Sequence, residues 1–217
     1  MLQIDQLIEL GQRLEQQGRT RTHSSKATAD TPFNEAPSLH PNKVSTRQTI
    51  EHIREANAWF SLLNIQTDPQ YRQLVADVLD SIQPFVEAKD PGMCYRAGWI
   101  FVSSPKTVTP FHFDKEHNFL LQIHGRKTVY VWDPNDLVVA DDRARDRFHA
   151  SGQRDLIVWD EAFRKRAHRF EIGPGEGAYM PSTSPHLVEV GDEPSVTVSF
   201  TYYTANTRRD ALLRKAR

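Results

Sequence analysis

The sequence is poor in three features that would each assign it to a class of proteins. Its 217 residues include a single cysteine, Cys94, which excludes an intramolecular disulfide framework. Its formal net charge is −1, so there is no basic excess to favour nucleic acid as a partner. It also has no apolar stretch long enough to span a membrane. These absences leave a globular protein whose length suits one domain with a sizeable core.

The N-terminal segment lacks the uninterrupted apolar core of a signal peptide. Asp5, Glu9 and Arg13 interrupt the sequence MLQIDQLIELGQRL, which instead places leucine and isoleucine residues at helical spacing. We therefore expect a cytoplasmic protein, with an amphipathic helix over residues 2–17.

Helical patterns resume after a polar segment. Residues 19–46 have three prolines and few large apolar groups, which favours a connector, with a lid over an active site as the functional alternative. Residues 47–63 and 68–88 predict two further helices whose apolar stripes pack in the core. Because terminal helices can also pack on a partner subunit, a homodimer is an expectation.

From about Cys94 onward, short apolar stretches separated by glycine and proline replace the helical pattern. Their length and spacing are typical of an all-β sandwich or jelly roll. A charged, aromatic insertion follows Trp132 and contains a predicted short helix at residues 159–168. The eight predicted strands cover residues 98–102, 111–114, 118–123, 127–132, 169–172, 176–180, 186–190 and 195–203.

The last predicted strand, SVTVSFTYY, alternates small polar residues with apolar ones. Thr197, Ser199 and Thr201 share one face, and Val198 and Phe200 share the other. Such a strand fits a polar barrel interior and a helix-covered exterior, and an ordinary solvent-facing strand gives the same pattern.

The stretch TPFHFDKEHNFLLQIHGRK, residues 109–127, carries the residues with the most specific chemistry. Side chains two positions apart on a strand share a face, so His112 and Asp114 are expected to project together. His186 lies at the start of another predicted strand and is the candidate for a third ligand. Two imidazoles and one carboxylate form the face that holds Fe(II) with open coordination positions.

Three nearby residues are alternatives to these ligands. Glu116 has the same strand parity as His112 and Asp114, so it is also a potential carboxylate ligand. His117 and His124 are interpreted as surface or substrate-rim residues.

The residues around His112 resemble the first cupin motif. Asp114 stands where many cupins carry histidine, Asn118 stands where they carry glutamate, and Gly125 keeps the closing glycine. Gly175, Pro181 and His186 resemble the second cupin motif. More narrowly, residues 95–205 resemble the JmjC-type, cupin-like 2-oxoglutarate oxygenases, with the greatest likeness to the asparaginyl hydroxylases that act on hypoxia-inducible factor. This resemblance implies a double-stranded β-helix, mainly β with added helices, preceded by N-terminal helices.

The resemblance also implies a ligand set and a cosubstrate pocket. His112, Asp114 and His186 match the iron ligands of the family. Lys127 matches the lysine that pairs with the distal carboxylate of 2-oxoglutarate, and Thr109 matches a hydroxyl that supports this contact. A lysine at this position takes the place of the arginine that other 2-oxoglutarate oxygenases carry after the distal histidine, where this sequence has no basic residue.

Three further positions of the pocket are less well defined. Asn118 matches an amide near the other end of the cosubstrate. Ser199 falls where the asparaginyl hydroxylase has asparagine, so that contact is altered. For the tyrosine that completes the family's pocket, the sequence offers Tyr95, Tyr179 and Tyr203.

These residues predict an Fe(II)- and 2-oxoglutarate-dependent dioxygenase that uses O2 to hydroxylate a protein side chain or a small molecule, releasing succinate and CO2. One alternative is a metal-dependent cupin enzyme that does not use 2-oxoglutarate and has no need of Lys127. Another is a non-enzymatic cupin-like module that binds a small molecule. The predicted organisation is an N-terminal helix and linker or flap at 1–46, a catalytic domain at 47–207 and a basic tail at 208–217.

Overall fold

The computed structural model describes residues 2–216. Its strands are β1 (Thr20–Ser24), β2 (Ala58–Leu62), β3 (Cys94–Ser103), β4 (Val108–His112), β5 (His117–His124), β6 (Lys127–Val131), β7 (His168–Ile172), β8 (Gly177–Met180), β9 (His186–Val190) and β10 (Ser195–Tyr203). Its α-helices are α1 (Ile4–Gln16), α2 (Ala36–Leu39), α3 (Thr46–Glu51), α4 (Pro69–Glu87), α5 (Asp142–Ser151) and α6 (Ala205–Lys215). Short 3-10 helices cover Phe33–Glu35, Ile65–Thr67 and Glu161–Arg166.

The strands form two antiparallel sheets. The larger sheet has the strand order β1-β2-β3-β10-β5-β8, and the smaller sheet has the order β4-β9-β6-β7. Strands β3 to β6 alternate between the two sheets along the chain, and so do strands β7 to β10. This arrangement is a double-stranded β-helix, and it confirms the predicted jelly-roll fold with helices at the N-terminal end.

Helices α1, α3 and α4 cover the outer face of the larger sheet. Leu10 of α1, Ile50 of α3 and Leu79 of α4 are fully buried in one cluster with Phe200 of β10. On the opposite face of β10, Ser199 is buried inside the barrel. The two-faced pattern predicted for this strand is therefore confirmed, with helices outside and small polar residues inside.

The predicted helix over residues 47–63 is wrong in its second half. Helix α3 ends at Glu51, and the sequence AWFSL forms strand β2, in which every residue is buried. Asn57, at a φ of 49°, lies immediately before this strand. Because β2 is covered on both faces, it has no polar alternation that would distinguish it from a helix.

The polar segment 19–46, predicted as a connector, contains strand β1. Its residues pair along the whole of β2, from Thr20 opposite Leu62 to Ser24 opposite Ala58. The sequence TRTHS has no apolar alternation because β1 is an edge strand with only one buried residue, His23. The division of the chain at residues 46 and 207 stays a prediction.

A tight turn at Gly125 joins β5 to β6 and sets the start of the strand that carries Lys127. The φ of Gly125 is 72°, and a Cβ at this position would clash with the carbonyl oxygen of Pro194. Only glycine satisfies both the backbone angle and the close approach.

The other predicted elements differ from the structure mainly at their ends. Strand β4 ends at His112 rather than at residue 114, so Asp114 lies beyond it. Pro84 lies inside α4 without ending it. The helix predicted at residues 159–168 is a 3-10 helix, and the same insertion also contains α5.

Among residues 2–216, no helix is long and apolar enough to cross a membrane.

Candidate metal centre and its cavity

Three potential metal ligands meet at one end of the smaller sheet. His112, at the end of β4, is opposite His186, at the start of β9, and Asp114 follows β4. Oδ2 of Asp114 lies 3.6 Å from Nε2 of His112 and 3.7 Å from Nε2 of His186. One ligand atom from each residue lies within 4.8 Å of the others, close enough for a single ion to contact all three. This donor set suits Fe(II) with open coordination positions.

Backbone carbonyl groups set the tautomer of both imidazole rings. Nδ1 of His112 lies 2.7 Å from the oxygen of Pro110, and Nδ1 of His186 lies 3.0 Å from the oxygen of Ser184. Because a carbonyl only accepts, each Nδ1 carries the hydrogen and each Nε2 presents a lone pair to Asp114.

Both rings are neutral near pH 7. Burial, together with the adjacent His186, lowers the pKa of His112 to about 3, and burial also lowers the pKa of His186. Neutral imidazole is the form that binds a metal ion, so neither ring has to lose a proton before binding.

Arg154 orients the carboxylate of Asp114. Its Nη2 donates to Oδ1 of Asp114 at 2.6 Å, and its Nε donates to the carbonyl oxygen of Phe113 at 2.8 Å. Oδ1 is therefore occupied, and Oδ2 is the oxygen that faces the two histidines. Burial acts to raise the pKa of Asp114, but the adjacent Arg154 guanidinium opposes this and helps to hold the pKa below its ordinary value. The carboxylate is ionised and aimed at the centre of the cluster.

We expect Arg154→Gln to weaken metal binding about 10- to 100-fold, the usual effect of removing a group that orients a metal ligand. The reason is that Asp114 would lose the donor that fixes Oδ2 toward the histidines. The dissociation constant of Mn(II), measured by electron paramagnetic resonance, tests this. Arg147→Gln is the matched control because Arg147 forms an exposed pair with Asp155, 3.1 Å away. Equal Mn(II) affinity in both variants would assign Arg154 a packing role only.

The ligands open into a cavity of about 210 Å³ between the two sheets. The residues predicted to bind the cosubstrate are brought together here, with one exception. Thr109, Asn118 and Lys127 line the cavity with the metal ligands, whereas Ser199 is not among the lining residues. Ser199 instead lies behind Asn118, and its hydroxyl donates to Oδ1 of that residue at 2.5 Å.

Lys127 is a buried amine without a carboxylate partner among the residues that the structure describes. Its side chain projects from β6 into the cavity, and the residue is 4% exposed. Nζ lies 5.8 Å from the ring centre of Phe101. Burial lowers the pKa of Lys127 to about 7. A buried ammonium group of this kind is stabilised by an anion brought into the cavity.

Two other lining residues are arranged as hydrogen-bond donors. The indole Nε1 of Trp59 donates to Oγ1 of Thr109 at 2.8 Å, which leaves the Thr109 hydroxyl hydrogen free for another acceptor. Oδ1 of Asn118 is occupied by Ser199, so the amide NH2 is the end offered to the cavity. Both residues can therefore donate to oxygens of a ligand.

The three alternative ligands lie outside the metal cluster. Glu116 accepts from the hydroxyl of Tyr203 at 3.2 Å, and Nδ1 of His117 lies 2.7 Å from the hydroxyl of Tyr179. His124 is exposed. The tyrosines proposed to complete the pocket, Tyr95, Tyr179 and Tyr203, are also absent from the cavity lining.

The segment 19–46 contributes Arg21 and Phe33 to the wall of the cavity, and its role as a lid stays a prediction. Phe33 stacks on the ring of His112, with ring centres 3.7 Å apart and planes 7° apart. Arg21 of β1 lines the same space. Arg21, Phe33 and Arg154 could not be identified from the sequence, because none of them stands in a motif or in a periodic pattern.

Comparison with solved structures finds matches at low sequence identity. The ribosomal oxygenase YcfD from Escherichia coli in complex with cobalt and 2-oxoglutarate matches with a TM-score of 0.47 and 19% identity, over 76% of this chain and 39% of that one. The DMSP lyase DddQ from Ruegeria pomeroyi DSS-3 matches with a TM-score of 0.32 and 14% identity, over 50% of this chain and 38% of that one.

Comparison at the sequence level places the chain in a family. It is 30% identical over 99 residues to the Jumonji C domain-containing protein 5 of Drosophila melanogaster, a region that covers 43% of this chain and 24% of that protein. The model of the family described as the cupin-like domain matches residues 5–208. The resemblance predicted from the motifs around His112 and His186 is confirmed: the chain belongs to the cupin-like domain family.

Proposed function

We propose that the protein is an Fe(II)- and 2-oxoglutarate-dependent dioxygenase that hydroxylates a small molecule or a protein side chain. The observation that carries this proposal is the position of Lys127, whose buried ammonium group shares one cavity with the ligands His112, Asp114 and His186. A metal site alone does not require a buried cation of this kind. A ligand that chelates the metal and carries a second carboxylate requires a cation to pair with that carboxylate.

The residues of the cavity divide between the metal and the cosubstrate. Bound Fe(II) with 2-oxoglutarate supplies the oxidation of substrate by O2, with release of succinate and CO2. His112, Asp114 and His186 would hold the metal and leave positions open for the cosubstrate. Lys127 would neutralise the distal carboxylate of 2-oxoglutarate by a charge-assisted hydrogen bond, with the Thr109 hydroxyl as a second donor.

The cavity supplies further donors where the family has a tyrosine. Nε1 of Trp99 and Oγ of Ser61 are buried without a hydrogen-bond partner among residues 2–216, and both residues line the cavity. Buried polar groups are nearly always paired, so two unpaired ones in a single cavity favour a ligand rich in acceptor oxygens. We infer that Trp99 and Ser61 contribute to the cosubstrate pocket in place of the missing tyrosine.

A cupin enzyme that does not use 2-oxoglutarate is the second candidate. It would keep the three ligands, but Lys127 would then be a buried, uncompensated charge that opposes folding. A non-enzymatic module is favoured less, because the lone pairs of both histidines are already directed toward the ionised Asp114 as in a prepared metal site.

The proposal is tested by adding 2-oxoglutarate to Fe(II)-loaded protein under anaerobic conditions. Chelation of Fe(II) by a 2-oxo acid gives a visible charge-transfer band, which should appear on addition and decay with succinate formation when O2 is admitted. A protein that binds Fe(II) without developing this band would be a metal cupin of the second kind. Succinate, which lacks the chelating keto group, is the control ligand.

We expect the affinity for 2-oxoglutarate to fall as the pH rises above 7. The pKa of Lys127 in the free protein is lowered to about 7 by burial, so the charged form that pairs with a carboxylate is lost above this pH. The decrease should approach about tenfold per pH unit until the pKa of the complex is reached. Calorimetric titration of Mn(II)-loaded protein between about pH 6 and 9 measures it. A constant affinity over this range would contradict the assignment of Lys127.

A further inference from the structure

Arg21, whose side chain is half-buried, presents a second cation to the cavity. It lies on β1 opposite Ser61 of β2, and both side chains line the cavity. Nη2 of Arg21 donates to the carbonyl oxygen of Phe33, while its Nε is buried and has no hydrogen-bond partner in the part of the chain that the structure describes. Within residues 2–216, no carboxylate forms an ion pair with Arg21, in contrast to Arg154, which is paired with Asp114. The guanidinium group is thus held in place by a neutral acceptor and keeps donors for another group.

The aromatic ring of Phe33 places Arg21 beside the metal cluster. The guanidinium carbon of Arg21 lies 4.2 Å from the centre of this ring, and the ring itself stacks on His112. The ring of Phe33 therefore contacts both Arg21 and the proposed metal ligand His112. Lys127 lies elsewhere in the cavity, against Phe101. The two cations therefore contact different aromatic rings of the cavity wall.

The charges of the loaded cavity leave Arg21 without a counter-ion. With Fe(II) and 2-oxoglutarate bound, the positive charges of the metal, Lys127 and Arg154 already exceed the negative charges of Asp114 and the two carboxylates of the cosubstrate. Arg21, which is half-buried, adds another positive charge to this cavity. Burial, and to a smaller extent the positive charge of Arg154, lowers the pKa of Arg21 to about 10, so the side chain stays charged near pH 7.

We propose that Arg21 binds an oxyanion of the substrate, a carboxylate or a group of the sulfonate or phosphate type, and that the substrate is accordingly an acidic molecule or an acidic side chain. This inference rests on the proposed function, because the anion is assigned to the substrate on the assumption that 2-oxoglutarate occupies the part of the cavity that contains Lys127.

Ligand-observed NMR on the full chain tests this assignment. The probe is methanesulfonate, an oxyanion that is a weak metal ligand, and its neutral counterpart is dimethyl sulfone. Saturation transfer from the Zn(II)-loaded protein, with saturating 2-oxoglutarate, should be at least fivefold stronger for methanesulfonate than for dimethyl sulfone. Arg21→Gln should abolish this difference, Arg21→Lys should retain part of it, and Arg147→Gln, which alters an exposed arginine, should leave it unchanged.

Three results would overturn the inference. The first is equal saturation transfer to both probes in the wild-type protein. The second is a preference for methanesulfonate that survives in Arg21→Gln. The third is a loss of 2-oxoglutarate affinity in Arg21→Gln, which would assign the residue to the cosubstrate. Failure of the wild-type protein to bind 2-oxoglutarate would instead refute the proposed function. In that case the comparison of the two probes on the Zn(II)-loaded protein still decides whether Arg21 is an anion site.

Discussion

His112→Ala and Asp114→Asn are each expected to abolish stoichiometric Fe(II) binding while the fold is kept. Each variant removes one of three ligands whose atoms already lie within 4.8 Å of one another, so the remaining two cannot hold the ion in the same way. We expect the affinity to fall by more than about 100-fold, beyond the effect of losing only a group that orients a ligand. Asparagine is chosen at Asp114 because its carbonyl oxygen can still accept from Arg154, which avoids an unpaired buried guanidinium.

Metal content after equilibrium dialysis measures this effect. His124→Ala is the control, because His124 lies in the same sequence motif but is exposed. It should retain one ion per chain, and thermal unfolding should show that all three variants are folded. Unchanged metal content in both His112→Ala and Asp114→Asn would refute the assignment of the ligands.

Lys127→Met is expected to retain the metal and to lose affinity for 2-oxoglutarate. Methionine fills a similar volume but cannot pair with the distal carboxylate. Removing one partner of a buried charge pair costs about 2–5 kcal/mol, which corresponds to at least about 30-fold weaker binding. Lys165→Met, at an exposed lysine, is the control and should bind 2-oxoglutarate as the wild type does.

A second ligand isolates the contribution of the charge pair. 2-Oxopentanoate keeps the chelating end of 2-oxoglutarate and lacks its distal carboxylate. The wild-type protein should prefer 2-oxoglutarate strongly, and Lys127→Met should bind the two ligands about equally, which is the coupling that a double-mutant cycle measures. If Lys127→Met kept the preference, the distal carboxylate would be bound by another residue.

The same substitution is expected to stabilise the folded protein. The pKa of Lys127 is lowered in the folded state, so the folded chain binds this proton more weakly than the unfolded chain does. The buried charge of Lys127 therefore lowers the free energy of unfolding most below pH 7. This destabilisation decreases as the pH rises toward the ordinary pKa of lysine. Lys127→Met should raise the free energy of unfolding at pH 7 by about 1–4 kcal/mol, measured by urea titration in the absence of ligand.

The part of the site that lies on regular strands was predictable from the sequence. The strands around His112, Lys127 and His186 alternate apolar and polar residues or stand between clear turns, so their faces follow from parity alone. Gly125 marked the turn that starts β6. The motif spacing then indicated which residues would share the cavity.

The part of the site built by irregular segments was not predictable. Arg154 reaches Asp114 from an insertion, and Phe33 reaches His112 from a 3-10 helix in a polar segment. Such contacts depend on how loops pack, which leaves no periodic signal in the sequence. Strand β2 was not predicted from the sequence for a different reason: burial on both faces removes the alternation that identifies a strand.

The central claim is that one cavity binds a metal ion and 2-oxoglutarate together. The most direct test is thermal unfolding of the wild-type protein with Mn(II), with 2-oxoglutarate and with both, without O2. Ligand at 100-fold its dissociation constant stabilises by about 2.7 kcal/mol, which should raise the melting temperature by about 5–10 °C. We expect this rise from 2-oxoglutarate only when Mn(II) is present. No effect of 2-oxoglutarate beyond that of Mn(II), or an equal rise without metal, would contradict the claim.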